Sequence, residues 1–215
     1  MRPMPPGESV TDQERDGNGS LGAFLDTEAG EHRAAFEAFI AQLQHPFTEV
    51  LSAWETCIRG GGKLLLFGNG GSAGNAQHIA AELVIRYKTD RASIAAIALT
   101  VDASTVTAAA NDLGFQAVFS RQVEGLGRPG DVAVGISTSG RSPNVLAALR
   151  EARARGLATS GLIGGDGGPM RALCDSAIIV PSTSTARIQE MHLLVSHMLC
   201  KALEERLGLT GRAAR

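Results

Sequence analysis

After Gly60-Gly61-Gly62 the chain repeats one pattern, a short apolar run closed by glycine or polar residues and then a segment of helical periodicity. The runs are Lys63 to Phe67, Ile94 to Leu99, Asp131 to Ile136, Thr159 to Ile163 and Ala177 to Val180. Their continuous apolar character marks strands covered on both faces. Helical patterns lie between them at about Ala73 to Tyr87, Phe115 to Leu126, Asn144 to Arg155 and Pro169 to Cys174, and a final one runs from Thr185 to Leu207. Strand and helix in alternation call for right-handed crossovers and parallel pairing. The sequence predicts an α/β three-layer sandwich on a mostly parallel five-stranded sheet.

Ahead of the first run, Phe36, Phe39, Ile40, Leu43, Phe47, Val50, Leu51 and Trp54 recur at three- and four-residue spacing. This predicts two helices punctuated at His45-Pro46. Their apolar faces are wider than one sheet needs, so packing of these N-terminal helices at subunit interfaces is expected. Residues 1–20, rich in Pro, Gly, Asp and Glu, read as a disordered tail without the apolar stretch of a signal peptide. The remaining divisions are residues 21–60 for the N-terminal helices, 61–207 for the α/β domain and 208–215 for a C-terminal tail.

A formal net charge of -2, with both signs scattered, gives no footprint for nucleic acid or an anionic membrane. No run approaches the length of a membrane span. Cys57, Cys174 and Cys200 lack metal or disulfide spacing and read as small buried hydrophobes. A cytoplasmic protein is expected.

Two strand-end loops stand out. Gly68-Asn69-Gly70-Gly71-Ser72 leads straight into a helix, whose free N–H groups and partial positive charge suit an anion. It matches neither common nucleotide-loop pattern, and a tight turn would explain it nearly as well. Ser137-Thr138-Ser139-Gly140-Arg141-Ser142-Pro143 sets four hydroxyls around one glycine before a second helix. A helix cap at Ser142 or Ser139 accounts for one hydroxyl only. In open α/β sheets ligands gather at such strand ends, near the reversal of strand order. Arg141 could add charge there, or stand as an exposed loop residue.

For chemistry, His78 and Glu82 sit four residues apart, on one helix face. They could share a metal or a proton, or be an ordinary surface pair. The last helix adds Gln189, Glu190, His192 and His197 in apolar surroundings.

The segments GNGGSAGNAQHIAAEL, GISTSGRSPNV and RIQEMHLLVSH, with Asn111-Asp112 between them, resemble in order and spacing the motifs of phosphoheptose isomerases within the sugar isomerase (SIS) domain family. The resemblance covers about Gly61 to Leu207. It implies conversion of sedoheptulose 7-phosphate, a phosphorylated seven-carbon sugar, to D-glycero-D-manno-heptose 7-phosphate, with Zn²⁺ as cofactor and a homotetramer with interfacial active sites. It places His78, Glu82, Gln189 and His197 at the catalytic and metal site. Asn69, Gly70, Gly71, Ser72, Glu82, Asn111, Asp112, Ser137, Thr138, Ser139, Ser142 and Gln189 fall on substrate positions. Ala73-Gly74-Asn75 departs from the bulkier residues of some relatives, which bears on the exact sugar.

Isomerisation moves a proton between C1 and C2 through an enediol and another between the two oxygens, so it needs a base and an acid. Glu82 is the expected base at carbon and His197 the acid/base at oxygen, with zinc polarising the carbonyl or, alternatively, serving a structural role. Gln189 and His197 are eight residues apart, roughly 12 Å along a helix. One metal can scarcely take both: either the helix is distorted near its start or, as the resemblance to a family with interfacial sites favours, the two residues belong to different copies of a site shared between subunits. His192 is the rival ligand by spacing, with a structural role as the alternative. The competing functions are a non-catalytic SIS-domain binding protein, resembling the replication-initiator-associating protein, and a sugar-phosphate sensor of transcription. No basic helix-turn-helix segment supports the sensor.

Overall fold

A computed structural model describes residues 13–210, with side chains from Ser20 onward. Two helices, α1 (Gln13–Ile40) and α2 (Gln44–Arg59), precede the alternating part. There β1 (Leu64–Gly68), α3 (Gly71–Val84), β2 (Ala96–Ala98), α4 (Ala103–Asp112), α5 (Ser120–Leu126), β3 (Val132–Ser137), α6 (Pro143–Ala154), β4 (Ala158–Gly164), β5 (Ser176–Val180) and α7 (Thr185–Arg206) follow in order. All strand pairs are parallel and the order is β2-β1-β3-β4-β5.

The pleat assigns the core. Leu64 and Leu66 point with Val132, Val134 and Ile136 to the face covered by α1, α2, α3 and α7. Leu65, Phe67 and Ala133 point to the opposite face, under α4, α5 and α6. This is the expected three-layer sandwich. From β1 the chain crosses to β2 on one side, then returns across β1 to β3 on the other, so strand order reverses between β1 and β3. Both loops named above leave the carboxyl ends of those two strands.

Several boundaries differ from the sequence reading. Helix α1 begins at Gln13, inside the segment expected to be a tail, while residues 1–12 lie outside those described. The predicted helix Phe115 to Leu126 is a 3₁₀ turn, Phe115–Ala117, followed by the short α5. Helix α4 ahead of it was not expected, because only Ala109 of its residues is buried. Pro169 to Cys174 is a 3₁₀ helix, Gly168–Leu173, and β2 is limited to three residues. Among the described residues no helix is long and apolar enough to cross a membrane.

Candidate functional site

The β3 loop is held by its own hydroxyls. Ser137 Oγ lies 3.1 Å from Ser142 Oγ and accepts the Gly140 N–H, while Ser139 Oγ accepts the Arg141 N–H. Ser142 occupies the N-cap of α6 without making the capping bond, so the simple cap reading fails. Gly140 has φ +63°, and a Cβ there would run into the Gly167 carbonyl, so only glycine fits. Arg141 donates twice to Asp166, at 2.8 Å each, and its charge is therefore committed. That guanidinium, with the Gly168 N–H, holds the Asp166 carboxyl well below the usual carboxylate range.

The β1 loop is joined to the first by a residue the sequence reading missed. Asn144, buried at the start of α6, exchanges amide hydrogen bonds with Asn69, at 2.9 and 2.8 Å. The Ser72 and Ala73 N–H groups turn back onto the Asn69 and Gly70 carbonyls, leaving fewer free donors than an uncapped helix start. A Cβ on Gly71 would collide with the Gln189 amide of α7. The start of α3 thus lies directly against the start of α7.

Two turns further on, the same helices meet again. His78 Nε2 and His197 Nε2 are 2.8 Å apart, and Glu82 Oε1 is 3.7 Å from His78 Nε2. Glu82 Oε2 is buried with no hydrogen-bond partner. One imidazole must donate and the other accept. Desolvation, then the neighbouring His78, depresses the His197 pKa against the pull of Glu82. Tyr87, in the loop after α3, stacks on the His197 ring with centroids 5.5 Å apart.

His78, Glu82 and His197 therefore gather, whereas Gln189 lies at the other end of the α3/α7 seam, as the helical rise requires. His192 stays out of the cluster. It is 1% exposed, its Nε2–H reaches the Ile163 carbonyl at 3.1 Å, and burial pushes its pKa down to about 4. Asn111 and Asp112 hydrogen-bond each other at the exposed end of α4. A groove of about 510 Å³ along the seam is lined by Gly71, Asn75, His78, Gln189 and Leu193 among others. A larger one, about 980 Å³, lies between α1 and the strand ends near Arg187 and includes none of the proton-moving candidates, so size does not decide.

Among the described residues no three His, Cys, Asp or Glu side chains form a ready metal cage. The donor types at His78, Glu82 and His197 nevertheless fit zinc, and the unpartnered Glu82 Oε2 is the kind of atom an ion would satisfy.

Hydroxyl-rich loops at a topological switch point, beside a histidine and carboxylate cluster, define a SIS-type α/β domain, and the SIS domain profile matches residues 29–164. A phosphoheptose isomerase of Paramagnetospirillum magneticum is 55% identical over 181 residues, 84% of this chain and 94% of that protein. The phosphoheptose isomerase structure from Neisseria gonorrhoeae superposes with TM-score 0.82 at 41% identity, covering 86% of this chain and 99% of that one. One from Francisella tularensis gives 0.80 at 33% identity, covering 85% and 97%. The chain belongs to the phosphoheptose isomerase family.

Proposed function

We infer that the chain is an aldose–ketose isomerase converting sedoheptulose 7-phosphate to D-glycero-D-manno-heptose 7-phosphate. The observation that carries the reading is the cluster at the α3/α7 seam, a facing pair of imidazoles beside a carboxylate oxygen that is buried and unsatisfied. In this reading the strand-end loops hold the phosphate through Ser137, Thr138, Ser139 and Ser142, with Asn69 to Ser72, Asn111, Asp112 and Gln189 on the sugar. Glu82 takes a proton from C1 of the ketose and returns it to C2 of the enediol. His197, neutral in its desolvated setting, relays the proton between the two oxygens. The non-catalytic binding protein is disfavoured by the presence of both groups and by the family.

His78, Glu82 and His197 would hold Zn²⁺, which supplies Lewis-acid polarisation of the carbonyl when bound. Gln189 cannot join them from the same chain without distortion of α7, so the partner subunit's Gln189 is the better fourth donor. A homotetramer accommodates this. Leu21, Phe24, Leu25, Phe36 and Ile40 leave an exposed apolar face on α1, which supports burial between subunits. A cytoplasmic setting accompanies the reading, in keeping with three cysteines that form no disulfide.

The decisive test incubates purified protein with sedoheptulose 7-phosphate and follows aldose formation by NMR, with and without zinc. Conversion is expected, stimulated by zinc. Absence of conversion under both conditions would transfer the assignment to the binding protein.

A further inference from the structure

Away from the solvent side of the seam lies an ion pair that the mechanism does not use. Arg91 Nε and Glu204 Oε1 are 2.7 Å apart, with side chains only 1% and 2% exposed. A buried pair of this kind adds little stability over an apolar pair of similar volume. Its partners suggest a different purpose. The Arg91 guanidinium donates to the Glu82 carbonyl at 2.8 Å and to the Leu83 carbonyl at 2.7 Å, both without an intrahelical partner at the end of α3, the second shared with the Ile94 N–H. Glu204 Oε1 also accepts the Tyr87 N–H at 3.1 Å. Tyr87 in turn stacks on His197, and Glu204 follows His197 by seven residues, two turns along α7.

We propose that Arg91 and Glu204 are positioning residues for the isomerisation, holding the last turn of α3 and the Tyr87 loop so that Glu82 and His197 keep their relative placement. The proposal rests on Glu82 and His197 being the proton-moving pair. One buried guanidinium fixes the backbone that carries the carboxylate. The carboxylate paired with it fixes the loop that packs the imidazole. Arginine is required for this because its planar fork reaches several acceptors at once, whereas a lysine ammonium serves as a point charge. The carboxylate role is less demanding, since a glutamine oxygen in the same place still accepts both hydrogen bonds.

The test compares Arg91→Lys, Glu204→Gln, Glu204→Leu and the double variant Arg91→Met/Glu204→Leu in the full chain. Melting temperature, binding stoichiometry for sedoheptulose 7-phosphate, KM and kcat are measured on each. Arg91→Lys is expected to lower kcat on the order of tenfold to a hundredfold, the scale of a small misplacement of reacting groups, with stoichiometry and KM nearly unchanged. Glu204→Gln should recover most of the turnover that Glu204→Leu loses. The double variant should fold and bind while turning over as poorly as Arg91→Lys. A folded double variant with wild-type kcat overturns the proposal. If that variant does not fold, equal kcat for Arg91→Lys and Glu204→Gln overturns it instead. Glu82→Gln runs alongside: substantial turnover there would remove the base assignment itself, an outcome distinct from an inert Arg91–Glu204 pair.

Discussion

The two ends of the α3/α7 seam are built on opposite terms. At the strand-end loops most of the side chains that shape the turns have partners within the chain, Ser137 with Ser142 and Gly140, Asn69 with Asn144, Arg141 with Asp166, while the Asn75 amide near the start of α3 is buried without one. At the far end His78 and His197 have mainly each other, and Glu82 keeps a buried oxygen with no partner. A buried acceptor left open carries a desolvation cost that folding alone does not repay. The loops are braced from within and present a fixed surface to an anion. The cluster is unfinished until a proton, an ion or a substrate oxygen completes it, which is where chemistry is expected.

The strongest way to break this contrast is Glu82→Gln. It preserves shape and burial but removes the base and weakens a proposed zinc donor, so turnover should fall by at least about 10²–10⁴-fold, the usual contribution of a general base alone. Binding of inorganic phosphate at the loops, measured by calorimetry, should remain close to wild type. A variant that isomerises at near-normal rate would mean that the unpartnered oxygen has no chemical role.

His192 sharpens the contrast from inside one helix. It lies five residues before His197, yet it is buried against the Ile163 carbonyl, and its pKa is pushed down to about 4 from an ordinary 6.5. With the folded value depressed, the unfolded chain binds the proton first as pH falls. The neutral ring's contribution is therefore complete above about pH 6.5 and is lost progressively towards pH 4, by about 3 kcal/mol at most. Urea unfolding midpoints between pH 7 and pH 4 should fall less steeply in His192→Gln than in wild type. Equal slopes would show that acid lability arises elsewhere.

Asn144→Ala probes the closed end. It strands the half-buried Asn69 amide and should cost about 1–3 kcal/mol of stability. KM should rise more than kcat falls, since the loops hold substrate and do not move protons. A fall confined to kcat would blur the distinction between the two ends.

How far the sequence reveals this depends on whether a feature is local. The strands are legible because a doubly covered parallel strand is a plain apolar run ended by glycine. The separation of Gln189 from His197 is legible because helical rise is fixed geometry. Helix α4 is not, because its core contribution is one alanine; the available signal was the Asp102 cap, whose side chain accepts the Thr105 N–H. Asn144 reads as an ordinary first-turn residue, since its partner Asn69 is 75 positions away. Arg91 and Tyr87 are separated from Glu204 in the same manner, and only packing shows that the three share one joint.

The smallest effect is expected at Arg141, and its value lies in a comparison of two variants. If its guanidinium is spent on Asp166 to brace the β3 loop, Arg141→Gln and Asp166→Asn break the same bond and should raise KM equally and modestly. Melting temperature should hardly move, because both side chains are exposed and such a pair is screened by salt. If Arg141 instead grips the phosphate, Arg141→Gln must be far worse, while Asp166→Asn frees the charge and should lower KM. The depressed Asp166 carboxyl adds a sign. Its folded pKa lies below the unfolded value, so the brace is complete above about pH 4 and weakens only as pH falls below that. Matched KM values for the two variants would place Arg141 with the structural end of the seam.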